Sequence, residues 1–244
     1  MLKKFPDAQK FLKIYLGGDV FLHNKKRFCL WLKNTSPTEI KKIPPIFQRV
    51  QQVKIFRQNS KKIQTQRRAD TPHLFAEDRF ISTKKIFIPM VSSGNREYIP
   101  IDFVDAEVVV NNLASFIPTD DKFIFGILTS NVHMAWLKKF CGRLKSDLSY
   151  SATIIYNTFP FPEAEKNIRE KISAIAEKIL LARKNFPDST LADLYNPTLM
   201  PKILREAHKK NDRAVMEAYN FDFTLSENEI VGELMKLYQH FVEK

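Results

Sequence analysis

Residues 121–142 read DKFIFGILTSNVHMAWLKKFCG and have the pattern of a long buried helix. Apolar side chains recur at helical spacing, at Phe123, Ile127, Met134, Leu137 and Cys141. Because glycine is common just beyond a helix end, we predict one helix that ends at Gly142. His133 and Trp136 lie one turn apart in it, and we interpret them as packing residues.

The sequence around this helix is typical of strands. Apolar runs bounded by turn residues predict strands at residues 86–91, 98–103, 107–111 and 115–118, and another at 152–156. Between the first two strands, the polar residues of Ser92-Ser93-Gly94-Asn95-Arg96 are predicted to lie on an exposed turn.

The N-terminal region predicts further elements. We expect a helix over residues 7–16 that ends at Gly17-Gly18. A hairpin of residues 20–23 and 27–32 follows, its second strand buried on both faces because apolar side chains occupy alternate positions on each. Ser36, Pro37 and Glu39 form the start signal of a short helix.

A basic helix is predicted over residues 46–67, after Pro44-Pro45 interrupt the pattern. Phe47, Val50, Val53 and Phe56 form its apolar face. Its stretch contains no Asp or Glu and carries a series of cations, among them Lys54, Arg57, Lys61, Lys62, Arg67 and Arg68. A solvated helix usually mixes both signs of charge, so this pattern favours contact with phosphate.

The proline-rich residues 157–162 predict a domain boundary. Beyond it the sequence is helical, with helices at 163–184, 200–209, 212–219 and 226–242, the last opened by a Ser226/Glu229 capping box. We therefore predict an α/β fold of the α+β type. Residues 1–162 would form a mixed or antiparallel sheet with packed helices, and residues 163–244 a small all-α domain.

The formal net charge of +12 favours nucleic acid or an acidic surface as partner. Both cysteines, Cys29 and Cys141, lie in apolar runs, which is typical of small buried side chains in a reducing compartment. No apolar stretch is long enough for a membrane span and no signal peptide is evident. We expect a cytoplasmic protein that does not enter a membrane.

A search for chemistry finds no catalytic motif. Six glycines in the whole chain leave no glycine-rich loop for a nucleotide. Asn196-Pro197-Thr198-Leu199 lacks the second proline and the aromatic ring of the methyltransferase Asn-Pro-Pro-aromatic motif, and we interpret it as a turn before a helix. The five histidines have no metal-ligand spacing. We predict no catalytic, cofactor or metal site in this chain, although a triad dispersed through the fold stays open.

Ordered motifs occur along nearly the whole chain. In the first part they are YLGGD (15–19), NKKRFCLWL (24–32), ADTPHLF (69–75), IPMVSS (88–93), REYIPI (96–101), FGILTS (125–130), HMAW (133–136), GRLKSD (142–147), YS (150–151) and YNTFP (156–160). In the last part they are LADLY (191–195), MP (200–201) and DRAV (212–215). Together these motifs resemble type IIG/IIL restriction–modification enzymes, which are adenine-specific DNA methyltransferases with a fused nuclease, and the last three resemble the helical domain that closes such enzymes.

The resemblance implies a target recognition domain that reads double-stranded DNA. It places base readout between residues 91 and 117, and the implied base contacts are Ser93, Asn95, Arg96, Asp102 and Asn112. The implied phosphate contacts are Lys54, Arg57, Lys61, Lys62, Arg67, Arg68, Arg143 and Lys145. Methyltransferase and nuclease domains, which would use S-adenosylmethionine and Mg²⁺, are expected as partners in cis or in trans.

Two other functions stay open at this point. The chain could be a specificity subunit whose main surface docks a separately encoded methyltransferase, with little DNA affinity of its own. Trp31, Trp136, Phe159 and Phe161 would then be exposed instead of forming the core. A stand-alone enzyme is disfavoured by the missing motifs, and binding of a cofactor by this chain would revive it.

Overall fold

The structure is a computed structural model that describes residues 2–243 and forms two compact units. The first unit comprises the chain up to Leu16, Lys26–Ser82 and Glu107–Val109. The second comprises Gly17–Lys25, Thr83–Ala106 and the chain from Val110 onward. None of the helices in the described part of the chain is long and apolar enough to cross a membrane.

Strands and helices alternate before residue 150 and helices follow. The strands are β1 (Leu12–Leu16), β2 (Phe28–Leu30), β3 (Lys85–Pro89), β4 (Val91–Ser92), β5 (Asp102–Val104), β6 (Val109–Val110), β7 (Ala114–Ile117), β8 (Gly142–Leu144) and β9 (Asp147–Ser149). The helices are α1 (Gly18–Leu22), α2 (Pro37–Lys41), α3 (Pro44–Gln58), α4 (Ile63–Gln66), α5 (Lys122–Leu128), α6 (Asn131–Phe140), α7 (Lys166–Lys184), α8 (Leu191–Leu194), α9 (Lys202–Ala218) and α10 (Glu227–Val242). This architecture confirms the predicted α+β class with a helical C-terminal part.

The first unit contains the antiparallel pair of β1 and β2 and a small apolar core. The helix predicted over residues 7–16 is wrong: a 3-10 turn at Pro6–Phe11 leads into β1, which pairs antiparallel with β2 through Leu12 and Leu30. A strand takes this segment because residues far along the chain complete its hydrogen-bond ladder. The capping box of Ser36 and Glu39 at the start of α2 is confirmed.

The predicted hairpin is also wrong in its first half, because residues 20–22 belong to α1. Its second half forms β2, but Phe28 is 58% exposed, so this strand is not buried on both faces. Gly17 precedes α1 instead of ending a helix. A Cβ on Gly17 would lie 2.3 Å from Nδ2 of Asn111, and this close approach requires glycine.

The basic helix predicted over residues 46–67 is divided in the structure. α3 ends at Gln58, and α4 is followed by a 3-10 turn at Arg67–Asp70. Pro44 and Pro45 lie in the first turn of α3, where a missing N–H group costs no helical hydrogen bond. Phe56, predicted on the apolar face, is 72% exposed, whereas Ile46 is fully buried.

The second unit contains two antiparallel sheets, in the orders β5-β3-β7 and β4-β9-β8. All residues of β3 are buried. The predicted 22-residue helix is divided into α5 and α6, because the hydroxyl of Ser130 caps α6 by accepting a hydrogen bond from the N–H group of His133. Gly142 begins β8 instead of ending the helix. His133 and Trp136 are buried, which confirms their packing role.

The C-terminal helices differ from the prediction in detail. α9 is one helix across the two predicted segments, and α10 begins with the predicted Ser226/Glu229 capping box. Residues 152–156 form a π-helical turn instead of a strand. Asn196 forms the predicted turn before α9 by accepting the N–H group of Thr198 on its side-chain oxygen. Cys29 and Cys141 are free and only partly buried.

Arg183 of α7 is a buried cation that joins this helix to β5. Its Nη1 donates to the carbonyl oxygen of Ile101 at 2.9 Å and lies 3.3 Å from a carboxylate oxygen of Asp102. Its Nε donates to the hydroxyl of Tyr195 at 3.0 Å. These acceptors stabilise a charge that would be costly to bury alone.

The chain of hydrogen bonds continues from Tyr195 to His208 of α9. Burial lowers the pKa of His208 to about 3, so its imidazole is neutral at physiological pH. Its Nδ1 lies 3.2 Å from the carbonyl oxygen of Thr129, which fixes the proton on Nδ1 and leaves Nε2 to accept from the Tyr195 hydroxyl at 2.7 Å. The Tyr98 ring stacks on His208 with its centroid 4.1 Å away.

Asp212 of α9 is the second buried ionisable group that contacts the same region. Its carboxylate accepts from the Tyr98 hydroxyl at 2.6 Å and from the backbone N–H group of Asn131 at 2.8 Å. Next to Tyr98, Glu97 forms an ion pair with Arg205 of the same helix. These contacts attach residues 97–102 to the C-terminal helices at several points. This stretch is called segment 97–102 below.

Gly126→Ala should destabilise the second unit, because a Cβ there would lie 2.7 Å from Cγ2 of Ile172 and 3.1 Å from Oδ1 of Asn211. Overpacking of this kind costs about 1–3 kcal/mol. Gly232→Ala in α10 is the matched control, since a Cβ there meets nothing within 4 Å, and it should raise the free energy of unfolding by up to about 1 kcal/mol. Urea denaturation measures both; equal effects would contradict the packing argument.

Asp212→Asn should change the pH dependence of stability. Burial raises the pKa of Asp212 from 3.8 to about 7, against the opposing hydrogen bonds from Tyr98 and Asn131. The folded protein therefore keeps a proton that the unfolded chain releases near pH 3.8, and stability falls as pH rises between these two values. Asparagine cannot titrate. The free energy of unfolding of the variant minus that of the wild type should therefore increase as pH rises across this window, and stay constant above it.

Urea denaturation of both proteins at steps across the same window is the measurement. A difference between variant and wild type that stays constant with pH would contradict the raised pKa.

Candidate nucleic-acid interface

The predicted polar turn is a β-turn that directly follows β4; we call residues Ser93 to Arg96 the 93–96 turn. The N–H group of Arg96 donates to the carbonyl oxygen of Ser93 at 3.2 Å, and that of Asn95 donates to the Ser93 hydroxyl at 3.4 Å. Asn95 is exposed, and Ser93 and Arg96 are half-buried. No strand follows directly, since the next one, β5, begins only at Asp102.

A hairpin packs against this turn. It consists of β8, Lys145-Ser146 and β9, and we call it the 142–149 hairpin. A Cβ on Gly94 would lie 2.3 Å from the carbonyl oxygen of Ser146, so the two backbones are too close for any residue but glycine. The Arg143 guanidinium lies 4.0 Å from the same position.

Arg96 is held in place within the turn. Its Nη1 donates to the hydroxyl of Ser92 at 3.2 Å, and Ser92 itself is buried. Burial lowers the pKa of Arg96 and the carboxylate of Asp147 opposes this, but an arginine stays protonated at neutral pH. Since a guanidinium has five N–H donors, most of them are left for a further acceptor.

Arg143 and Lys145 are exposed on the 142–149 hairpin. The structure thus brings five of the predicted contact residues into one region of the second unit, combining hydroxyl, amide and guanidinium groups with an ammonium. These residues are Ser93, Asn95, Arg96, Arg143 and Lys145. Such groups bind base edges and phosphate oxygens.

Asp102 and Asn112 occupy other places. Asp102 lies on β5, where its carboxylate pairs with Arg183 and accepts the N–H group of Phe103 at 2.7 Å. Asn112 is exposed in the loop between β6 and β7. The ion pair gives Asp102 a structural role, while base contact by either residue stays a prediction.

The remaining predicted phosphate contacts lie in the first unit. Lys61, Lys62, Arg67 and Arg68 are exposed, and Lys54 is half-buried. Arg57 differs from them, because its guanidinium donates to the carbonyl oxygens of Arg68, Thr71 and Leu74 at 2.7–2.8 Å. Arg57 therefore holds the segment after α4 against α3, and phosphate contact by this residue stays a prediction.

Sequence reasoning did not single out two neighbours of the 93–96 turn. Asp147 acts on Arg96 through its charge, and Leu144 is 60% exposed on β8. Only the strand register brings these residues next to the turn. Within the described residues, no three side chains of His, Cys, Asp or Glu are grouped so that they could hold a metal ion.

Comparisons with known proteins show which family the chain resembles over its whole length. The family model described as "MmeI, target recognition domain" matches residues 1–163, and "MmeI, C-terminal domain" matches residues 164–244. The chain is 37% identical over 243 residues to DNA methyltransferase A of Bacillus subtilis (strain 168), covering 100% of this chain and 28% of that protein.

A solved structure of the type IIL restriction-modification enzyme MmeI in complex with DNA is also similar. It superimposes with a TM-score of 0.95 at 37% identity, covering 100% of this chain and 32% of that one. The chain thus spans less than a third of either relative's length. Since the two family models together account for every residue, the chain belongs to the MmeI family and consists of its target recognition and C-terminal domains.

Proposed function

We propose that this chain is the sequence-reading module of a type II restriction–modification adenine methyltransferase and binds double-stranded DNA. The observation that carries the proposal is Arg96, a guanidinium fixed on the buried Ser92 hydroxyl with donors to spare, beside exposed Asn95. Family membership supports it, since the related MmeI was solved in complex with DNA.

The 93–96 turn supplies the chemistry of direct readout. Arginine pairs bidentately with O6 and N7 of guanine, and asparagine pairs with N6 and N7 of adenine in the major groove. Because Arg96 is already hydrogen-bonded in place, it loses little conformational freedom when it meets a base. A base contact of this kind discriminates by about 1–3 kcal/mol against the wrong base.

The exposed cations supply affinity that does not depend on sequence. In the first unit these are Lys61, Lys62, Arg67 and Arg68, and in the second unit Arg143 and Lys145. Cations near phosphates release condensed counterions, which strengthens binding to any duplex. Contacts of this kind position the protein, while base contacts specify the site.

Methyltransferase and nuclease domains, in cis or in trans, are the partners of this module in our proposal. The related protein from B. subtilis is a DNA methyltransferase and MmeI is a restriction-modification enzyme. S-adenosylmethionine and Mg²⁺ would be bound by those domains. A cytoplasmic location stays a prediction.

The alternative of a docking subunit with little DNA affinity is not favoured. It expects exposed motif aromatics, but Trp136 is 2% and Phe159 is 5% exposed. Phe161 packs edge-on against Phe159 at 5.1 Å, and Trp31 stacks on Phe75 at 5.3 Å.

Charge reversal at Arg67→Glu and Arg68→Glu should weaken binding to all duplexes alike. If both cations neutralise phosphates, the slope of log affinity against log salt should fall in magnitude by about 0.9 per lost contact. Fluorescence anisotropy with duplexes of different sequence measures this. Lys236→Glu, a surface cation beside Glu233 in α10, is the control that should leave affinity nearly unchanged. Binding that is insensitive to salt would contradict the proposal.

Arg96→Ala should alter sequence preference. Selection from a random duplex library by the wild-type chain defines its consensus, and the variant should lose preference at one position by about 10-fold or more, as expected for a lost bidentate contact. An unchanged consensus would exclude base readout by Arg96. Failure of the wild type to retain any duplex would exclude the proposed function itself.

A further inference from the structure

The tip of the 142–149 hairpin exposes an apolar side chain between two cations. Residues 142–146 are all exposed, and Leu144 is 60% exposed between Arg143 and Lys145. Neither cation has an ion-pair partner in the described part of the chain. Burial of this leucine against a bound partner would be favourable, since exposure of apolar surface to water is unfavourable.

The strand register determines which way these side chains point. Arg143 lies opposite Leu148, which is buried, and Ser92 lies opposite the same residue. Directly opposed residues of antiparallel strands share a face, so these three lie on one face of the sheet, where Leu148 and Ser92 are buried and Arg143, on the edge strand β8, is exposed. Leu144 therefore lies on the outer face of the β4-β9-β8 sheet, opposite Asp147.

This outer face borders the 93–96 turn through the close approach of Gly94 to Ser146, although Ser92, to which Arg96 is bonded, lies on the opposite face. Val91 lies on the same face as Leu144, because it is opposite Ser149, two residues from Asp147. Val91 is 36% exposed and directly precedes the last residue of β4. The outer face thus carries the exposed apolar side chains of Leu144 and Val91, and the exposed Lys145 lies at its edge.

The backbone of the tip is strained at Lys145. Its φ is 57°, in the left-handed region that residues with a Cβ enter only at an energetic cost. The other non-glycine residues with positive φ in the described part of the chain are Asn24, Asn34 and Asn220. Asparagine tolerates this conformation and lysine does not share that tolerance. A lysine at this position therefore points to a role for its ammonium group that glycine could not fill.

We propose that the tip of the hairpin is a DNA-contacting element in which Leu144 reads the C5-methyl group of a thymine next to the base pairs read by the 93–96 turn. Lys145, the next residue at the tip, binds a phosphate oxygen of the same duplex. The inference rests on the proposed function, and it adds a specificity residue to it. DNA is the occupant because cations border the exposed leucine and the close approach of Gly94 to Ser146 makes the tip and the turn one surface.

Apolar contact with the thymine methyl group is an established form of major-groove readout. Its strength is that of burying one methyl group, which corresponds to about a fourfold change in affinity. Leucine offers no hydrogen bond, so it favours thymine over cytosine and uracil by apolar contact alone.

The first test uses thymine analogues. The wild-type chain selects a consensus from a random duplex library, and each consensus thymine is then replaced in turn by deoxyuridine, which lacks only the C5-methyl group. One replacement, next to the position that Arg96→Ala alters, should lower affinity about fourfold for the wild type and not at all for Leu144→Ser. Leu199→Ser, at a leucine that is 63% exposed, is the matched control and should behave like the wild type.

These outcomes distinguish a failure of the inference about Leu144 from a failure of the proposed function. If Arg96→Ala alters the consensus but Leu144→Ser responds to every replacement as the wild type does, the inference is overturned and the proposed function stands. A consensus without a thymine beside the Arg96 position overturns the inference in the same way. If the wild type binds no duplex, both fail.

The second test uses the strained lysine. Lys145→Gly should keep or raise the thermal unfolding temperature, because glycine adopts a φ of 57° without strain, yet lower affinity for every duplex. Asn220→Gly, at a φ of 54°, is the control and should leave affinity unchanged. Unchanged affinity of Lys145→Gly would overturn the role assigned to this lysine.

Discussion

The second unit depends on how the buried charge of Arg183 is satisfied. A lone guanidinium in a protein interior is strongly unfavourable, and removing one partner of a buried pair costs about 3–5 kcal/mol. The carbonyl group of Ile101, the carboxylate of Asp102 and the hydroxyl of Tyr195 each accept from it or pair with it. If segment 97–102 left α7, the guanidinium would lose two of these three partners and keep only Tyr195, and this requirement couples the sheet region to the C-terminal helices.

The coupling has a consequence for recognition, because the 93–96 turn directly precedes this segment. On one side the turn continues into Tyr98, whose hydroxyl is bonded to Asp212, and on the other it continues from β4, which pairs with β9. Gly94 packs on the backbone of the 142–149 hairpin. Side chains supported in this way hold a binding geometry more closely than side chains on free loops, so the base readout that we propose for Arg96 would not require this side chain to be ordered first.

The features of the fold that were predictable are those determined by neighbouring residues. The caps at Ser36 and Ser226 were correctly placed because a capping box involves four consecutive residues. β1 was mistaken for a helix because its ladder is completed by residues 28–30, and pairing between distant segments leaves no local signal. The break between α5 and α6 did have such a signal, the Ser130 cap, but the continuous apolar spacing across it concealed the break.

By itself the sequence determined the α+β class, the positive charge, the family and the residue types that can contact DNA. Composition and short motifs indicate these features without information on which residues are neighbours in space. Only the tertiary structure decided what each of these residues contacts within the protein. It commits Arg57 to backbone carbonyls and Asp102 to Arg183, and it joins Arg96 to the hairpin that carries Leu144. The physical reason is that hydrogen bonds and ion pairs act over a few ångströms in space, between residues that the chain separates by up to 114 positions.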